Sequence, residues 1–307
     1  MEINGSATLK GIEIGLEALY LGGYRAASPI AKKLATVKAS NRLEELMMYV
    51  GQLPRMREWI GERTSKSFSL YEHRVKNKDF ELTVDISRNE IEDDQIGKFN
   101  DLFADMGRSA ALLHDDIVAD TLLAGETVTT YDNQYFFDTD HPYDPAMSSS
   151  PIQSNLFTGR PLTDDNYTFV RAKMMALKGP DGKPLRVRPN ALIVSPDLEV
   201  TAKRIVYSTT TPVVYGANTA AAQVDNANRG TAEVIVFPEL TGTDWYLMDL
   251  NNTIKPIVVW DRKSPRFVRM DQETQESVFW RKIFHWGVDA RAVGTYGPWF
   301  LASKAKA

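Results

Sequence analysis

Apolar residues change their spacing several times along the chain, and each change marks an element. Ile96, Phe99, Phe103, Met106, Ala110, Leu113 and Ile117 recur at alternating intervals of three and four, which is the spacing of one helix face. Asp93 and Asp94 offer N-cap oxygens before this run and Gly125 a stop after it, so the spacing predicts a helix over about 95–124. Such a helix is ~45 Å long. The pattern ends after about four heptads without oppositely charged flanks, which favours a single helix laid along a sheet over a coiled coil. Just upstream, Phe80, Leu82, Val84 and Ile86 alternate with polar residues, as Phe68 and Leu70 do across the polar Lys76-Asn77-Lys78-Asp79. This reads as a charged β-hairpin turning at 76–79, with arms on the order of 30 Å. An isolated hairpin of that length is marginal in water, so its missing partner is expected to be another copy of the chain.

The other elements are shorter. Ile12, Leu16 and Leu19 suggest a helix over 9–21, weakened by Gly11 and Gly15. Residues 165–177 look helical, and Pro180-Asp181-Gly182-Lys183-Pro184 makes a turn before a strand at 191–194. Ser195-Pro196 then opens a helix to about Tyr207. Residues 208–230, small and nearly uncharged, read as an exposed loop. Strands are expected at 232–237, 245–250, 257–260, 267–270 and within 277–290, before an aromatic tail from Tyr296 to Phe300. No period of about 20–50 residues repeats, so solenoids and propellers are excluded. Helices and strands are segregated rather than alternating, and the chain reads as α+β.

Composition narrows the classes of function. The 307 residues, 43% hydrophobic and 25% charged, can build one large domain or two moderate ones. A net charge of −4 argues against wrapping nucleic acid through bulk electrostatics, so any DNA contact is expected to be local or weak. With no cysteine there is no disulfide, thiolate metal site or cysteine nucleophile, in keeping with a reducing cytoplasm. No run reaches the roughly 18 apolar residues of a membrane span, and the first residues lack the apolar stretch of a signal peptide. Between Tyr24 and Arg42 the chain carries Arg25, Lys32, Lys33, Lys38 and Arg42 and no acid. A solvated basic arm is the plain reading, and an arm lying on an acidic partner is the sharper one.

Catalytic chemistry is hard to find. Asp132, Asp138, Asp140, His141 and Asp144 offer oxygen and imidazole ligands, but their spacing matches no metal motif and lacks the glycine and glutamate of an EF-hand. A loop held by carboxylate caps and packed tyrosines is favoured there. A metal-dependent hydrolase using Asp138, Asp140 and His141 stays as a rival. His73, His114 and His285 have no serine and carboxylate in a nucleophile pattern, and no Walker loop, dinucleotide fingerprint or other cofactor motif appears. Assembly is therefore the default function.

The order of parts carries a resemblance. A basic N-terminal arm, a charged hairpin, the segment Ser87 to Asp94 and a long helix ending at Leu122-Leu123-Ala124-Gly125 resemble the Hong Kong 97-type major capsid fold of tailed phages. Tyr131-Asp132-Asn133-Gln134-Tyr135-Phe136-Phe137 followed by Asp140-His141-Pro142 is similar to a segment of the Mu-like phage major head subunit, with Asn133 at a glycine position. Pro189 to Pro196 and the strand end Gly287-Val288-Asp289-Ala290-Arg291 are similar as well. The resemblance implies a non-enzymatic subunit that assembles into pentamers and hexamers of an icosahedral head around the phage genome, with another multimeric virion part, such as a tail tube protein, as the rival. It places an N-arm at 1–50, an extended hairpin (E-loop) at 51–93 and a peripheral domain at 94–164 with its spine helix at 94–125. An axial domain at 165–252 and a return to the peripheral sheet at 253–307 follow. Neighbours are expected to touch the hairpin at Arg55, Arg57, Glu62, Arg63, Arg74, Lys76, Lys78 and Asp79, and the arm at Arg25, Lys32 and Lys33. Scaffold, portal and decoration proteins, and weak non-specific contact with double-stranded DNA, are the other implied partners. The implied place is the virion capsid, assembled in the bacterial cytoplasm.

Overall fold

The computed structural model describes residues 5–50, 70–87, 89–90, 96–147, 149–213, 222–270 and 280–307. Helix α1 (Gly5–Ala26) is longer than expected. A four-residue helix α2 (Ala31–Leu34) and strand β1 (Ala35–Ala39) come next, followed by strands β2 (Glu44–Val50), β3 (Leu70–Lys76) and β4 (Lys78–Ser87). The predicted long helix is present as a 3-10 turn (Ile96–Phe99) continued by α3 (Asn100–Leu123), and Phe103, Met106, Ala110 and Ile117 of its apolar seam are buried.

Two glycines explain how α1 lies on α3. A β-carbon at Gly23 would stand 1.9 Å from the Ala104 carbonyl oxygen, and one at Gly107 would stand 2.0 Å from that of Tyr20. The backbones touch, which only glycine permits. Leu16 and Tyr20 of α1 then join Phe103, Met106 and Ala110 of α3 over Ile86, Phe284, Trp286 and Val288.

Those last residues belong to a four-stranded sheet, ordered β1-β13-β14-β4, that includes the long strands β13 (Ile257–Met270) and β14 (Ile283–Tyr296). The strands expected at 257–260 and 267–270 are one strand, interrupted by register shifts between Asp261 and Arg266. β1 runs parallel to β13, and the other two pairings are antiparallel.

The hairpin differs from expectation. β3 pairs with β2, Glu44 opposite Lys76 through Val50 opposite Leu70, as a separate two-stranded ribbon. β4 pairs instead with β14, Ile86 opposite Phe284. Residues 76–79 are therefore no hairpin turn: Asn77 is a one-residue corner between two sheets. The reason lies in burial, because Ile86 and Val84 must cover α1 and α3, and β14 supplies the wide apolar surface that β3 lacks.

A second sheet has the order β11-β8-β12-β15-β7. Its strands are β7 (Leu156–Phe157), β8 (Ala191–Val194), β11 (Glu233–Val236), β12 (Trp245–Met248) and β15 (Ala302–Ala305). All four residues of β8, β12 and β15 are buried, as expected for strands covered on both faces. Helices α4 (Asp164–Met175) and α5 (Glu199–Tyr207) contribute Tyr167, Val170, Met174, Ala202 and Val206 to the same core. β7 and β15 come from 126–164 and 253–307, the ranges expected to complete the first sheet. The expected loop at 208–230 contains a small hairpin, β9 (Thr210–Val213) with β10 (Ala222–Asp225). A two-residue ladder of β5 (His141–Pro142) and β6 (Ile152–Gln153) completes the strands.

Candidate assembly surfaces

The ribbon β2–β3 leaves the body through a buried polar knot. Ser40 Oγ donates to Glu45 Oε1 at 2.6 Å, and the Arg42 backbone N–H donates to the same oxygen at 3.2 Å. Asn77 Nδ2 donates to Ser40 Oγ at 3.1 Å and to the Arg42 carbonyl at 3.0 Å. Ser40, Glu45 and Asn77 are all buried. The hydrogen bond from Ser40 holds the Glu45 carboxyl below its ordinary range, with the Arg42 and Asn41 backbone helping against desolvation.

The arm is seated by a second buried acid. Asp115 of α3, 2% exposed, accepts from the backbone N–H groups of Ile30 at 2.9 Å and Ala31 at 2.6 Å. Lys255 closes the other end of α2 by donating to the Lys32 and Lys33 carbonyls at 2.7 Å each, and burial pushes its ammonium below the ordinary lysine range. Between them these two charges fix where β1 joins the sheet.

A third junction binds the end of the spine to the second sheet. Gly125 lies under Phe137, whose ring carbon would be 2.5 Å from a β-carbon there. The Phe136 ring stacks on Tyr296 at 4.4 Å. Fully buried His141 makes a 2.7 Å hydrogen bond through Nδ1 with Asp132 Oδ2 and stacks on Trp299 at 3.9 Å, the ring planes 7° apart. Asp132 Oδ1 accepts from Thr130 Oγ1 at 2.7 Å, closing a turn in which Asn133 takes φ +63°. That left-handed backbone explains why glycine suits the position. Asn155, fully buried, accepts from the Asp138 N–H and donates to the carbonyls of Phe136, Trp299 and Ala302. Glu126 at the spine end accepts from Lys304 Nζ at 2.6 Å and Lys306 Nζ at 2.9 Å. Burial alone would lower the Lys304 ammonium, but Glu126, Tyr246 and Asp244 outweigh it and raise it.

Of the contact residues read from the sequence, Arg25, Lys32, Arg74, Lys76, Lys78 and Asp79 are exposed, while Arg55, Arg57, Glu62 and Arg63 lie outside the described residues. Lys33 meets Glu233 at 3.1 Å and Asp79 is ion-paired with Arg291. The loop at 131–144 is held by its Asp132 cap, by the buried Phe136 and Phe137 and by Tyr131, which packs against the core, while Tyr135 is 45% exposed. Asp138 accepts from the Tyr135 and Thr139 N–H groups, and the Asp140 carboxyl is pushed up by burial and then by Asp138. His141 is turned to Asp132. Among the described residues no group of three or more His, Cys, Asp or Glu is placed to hold a metal ion. Sequence reading missed Ser40, Asn77, Asp115 and Asn155; the only available signal was a polar residue inside or beside an apolar run, as at Asp115 two residues before Ile117.

A clamped arm, a separate two-stranded ribbon, a spine helix on a four-stranded sheet and a second sheet whose β8, β12 and β15 are wholly buried are the parts of a Hong Kong 97-type capsid subunit. The chain belongs to the Mu-like prophage major head subunit gpT family, whose model matches residues 9–161, 152–240 and 238–307. It is thus a major capsid protein, a building block of an icosahedral phage head. The Mu-like prophage FluMu major head subunit of Haemophilus influenzae is 26% identical over 97% of this chain and 73% of its own length. The major capsid protein of Escherichia phage Mu is 24% identical over 98% of this chain and 74% of its own. A chain from the procapsid of bacteriophage JBD30 superimposes with a TM-score of 0.58 at 26% identity, covering 97% of this chain and 75% of that one. Among the described residues no helix is long and apolar enough to cross a membrane.

Proposed function

We propose that the ribbon β2–β3 is the arm by which each subunit grips its neighbour in pentamers and hexamers, and that the second sheet with α4, α5 and the β9–β10 hairpin faces the capsomer axis. The observation that carries this reading is the ribbon's pairing, since among the described residues β2 and β3 are bonded as strands only to each other. The ribbon is a two-stranded sheet tied to its own subunit through the Ser40–Glu45–Asn77 knot, and two strands alone are marginal in water. Arg74, Lys76 and Lys78 at its root, with Arg55, Arg57, Glu62, Arg63 and Asp79, are the proposed contacts, and Arg25, Lys32 and Lys33 those of the arm. Exposed ion pairs contribute only ~0–1 kcal/mol each, so repetition and contact area supply the cohesion.

The role is structural, without catalysis. Scaffold, portal and decoration proteins are the further proposed partners, shells form in the host cytoplasm, and the acidic subunit touches packaged DNA weakly and without sequence preference. Electron microscopy of the expressed protein tests the reading, with closed shells or hexagonal sheets expected and stacked tubes counting against it. The ribbon itself is tested by joining Met48 to Glu72 through an Asn-Gly turn, which shortens β2–β3 and leaves β4 in its sheet. A folded subunit that fails to form shells is expected; normal shells would remove the ribbon's role.

A further inference from the structure

Residues 178–188 form a rigid basic turn. Lys178 bridges to Pro184, and the Gly179 N–H donates to the Lys183 carbonyl at 2.9 Å and the Leu185 N–H to the Leu177 carbonyl at 2.7 Å. Gln153 clamps Lys178 from both sides, Nε2 donating to its carbonyl at 2.8 Å and Oε1 accepting its N–H at 3.0 Å. Arg186 stands at φ +60°, a conformation that a non-glycine residue adopts at a cost of about 1–3 kcal/mol. Lys178, Lys183, Arg186 and Arg188 are all exposed, and the single acid in the turn, Asp181, has its Oδ1 engaged by the Lys183 N–H. None of the four cations forms an ion pair with another described residue. A turn that served only solubility would need neither the clamp nor the strained arginine, whereas a preorganised array loses little freedom on binding.

The complementary charge lies at the other end of the same sheet. β8 and β11 are parallel, Ala191 beside Glu233 and Val194 beside Val236. The basic turn precedes β8, while Glu239 follows β11, so the two are separated by at least the ~13 Å of a four-residue strand. Glu239 adjoins Asp116 of α3, with Asp120 one turn further along; Asp116 and Asp120 are exposed, and none of the three is ion-paired among the described residues. Burial, then Glu239, Asp115 and Asp120, push the Asp116 carboxyl above the ordinary aspartate range, an unfavourable crowding that a cation would relieve. A subunit with unlike charge at opposite ends of one sheet suits a head-to-tail contact, in which one patch meets a different patch of the next copy.

We propose that the basic turn 178–188 of one subunit docks on the acidic face formed by Asp116, Asp120 and Glu239 of the next copy. The inference rests on the reading that the chain assembles with itself, and the experiment separates the two. Full-length protein is made as wild type, as Lys183→Glu/Arg186→Glu, as Asp116→Lys/Asp120→Lys, and with all four changes. Assembly is followed by light scattering and electron microscopy at low salt, and folding by thermal melting. Each single-sided reversal is expected to lower the yield of assembled particles on the order of tenfold or more, because like charges then face each other. The fourfold variant is expected to recover most of it. A milder Lys183→Gln/Arg186→Gln pair, expected to melt like wild type and to assemble poorly, covers the case of a reversal that does not fold. Wild-type assembly without recovery in a folded fourfold variant overturns the inference alone, as do reversals that assemble normally. Normal assembly with lost retention of duplex DNA on a filter assigns the turn to nucleic acid and likewise overturns it. Failure of the wild type to assemble at all strikes at the reading of self-assembly instead.

Discussion

Two junctions in this subunit are built around a buried asparagine, and they differ in how completely that asparagine is satisfied. At the spine end, Asn155 uses both its amide hydrogens and its carbonyl, tying Phe136, Asp138, Trp299 and Ala302 together inside the largest core. At the ribbon root, Asn77 uses its hydrogens, but its Oδ1 is buried without a partner among the described residues. A fully satisfied buried network stiffens its surroundings, while a partly satisfied one is where a structure opens first. Asn155 is thus expected to hold its junction more firmly than Asn77 holds the ribbon root.

Asn155→Ala should break the firm junction. It takes a donor from the carbonyls of Phe136, Trp299 and Ala302 and leaves the Asp138 N–H unpaired beside the core, and a loss of about 3 kcal/mol in chemical denaturation is expected. A smaller effect than that of any change at Asn77 would reverse the comparison. Gly107→Val tests the body on which both junctions rest. With the Tyr20 carbonyl in the way, α1 must lift from α3, at a cost of about 3 kcal/mol and with faster proteolysis of the N-terminal segment. Asp132→Asn, which weakens the partner of His141, should cost about 1–3 kcal/mol in the same denaturation measurement.

At the ribbon root the expected effects are smaller and local. Glu45→Gln should cost about 1 kcal/mol and appear in hydrogen exchange of the β2–β3 amides more than in the global melt. Because the folded-state pKa of Glu45 is below its ordinary value of 4.5, its contribution is present above that value and is lost as pH falls through the folded pKa. Exchange at the root should therefore quicken in acid for the wild type and change little for the Gln variant. Equal acid sensitivity of the two would remove Glu45 as the cause. Lys33→Ala is expected to change stability by less than ~1 kcal/mol, since Lys33 and Glu233 are 63% and 59% exposed.

How much was legible in the sequence follows from where each element finds its partners. The spine could be read because its apolar seam is local, and the same holds for Ala191–Val194 and the turn into α5. The alternation in Phe80–Ile86 was read correctly as a strand and wrongly as half of a hairpin. Its partner β14 lies roughly two hundred residues away, and nothing near Asn77 distinguishes a corner from a turn. The mixed membership of the second sheet was hidden for the same reason, since β7 is only two residues long and β15 (Ala-Ser-Lys-Ala) carries little apolar signal. Asp115, Asn155 and the Ser40–Glu45–Asn77 knot were invisible because a buried polar residue looks like an exposed one until its partners are known. His141 could be found as part of a motif, but its stacking on Trp299 could not.

The long-range pairings of the first sheet also govern how quickly a usable subunit appears. Ile86 must find Phe284 before α1 and α3 have a surface to close on, and Ala35 must find Ile257 to complete the sheet. Contacts this distant in sequence make folding slow and leave unpaired strand edges open in the meantime. β4 is an edge strand of that sheet, and its charged residues (Lys78, Asp79, Glu81 and Asp85) are placed to discourage one chain's strand from capturing another's. Correct shells then depend on a race between intramolecular closure and intermolecular capture.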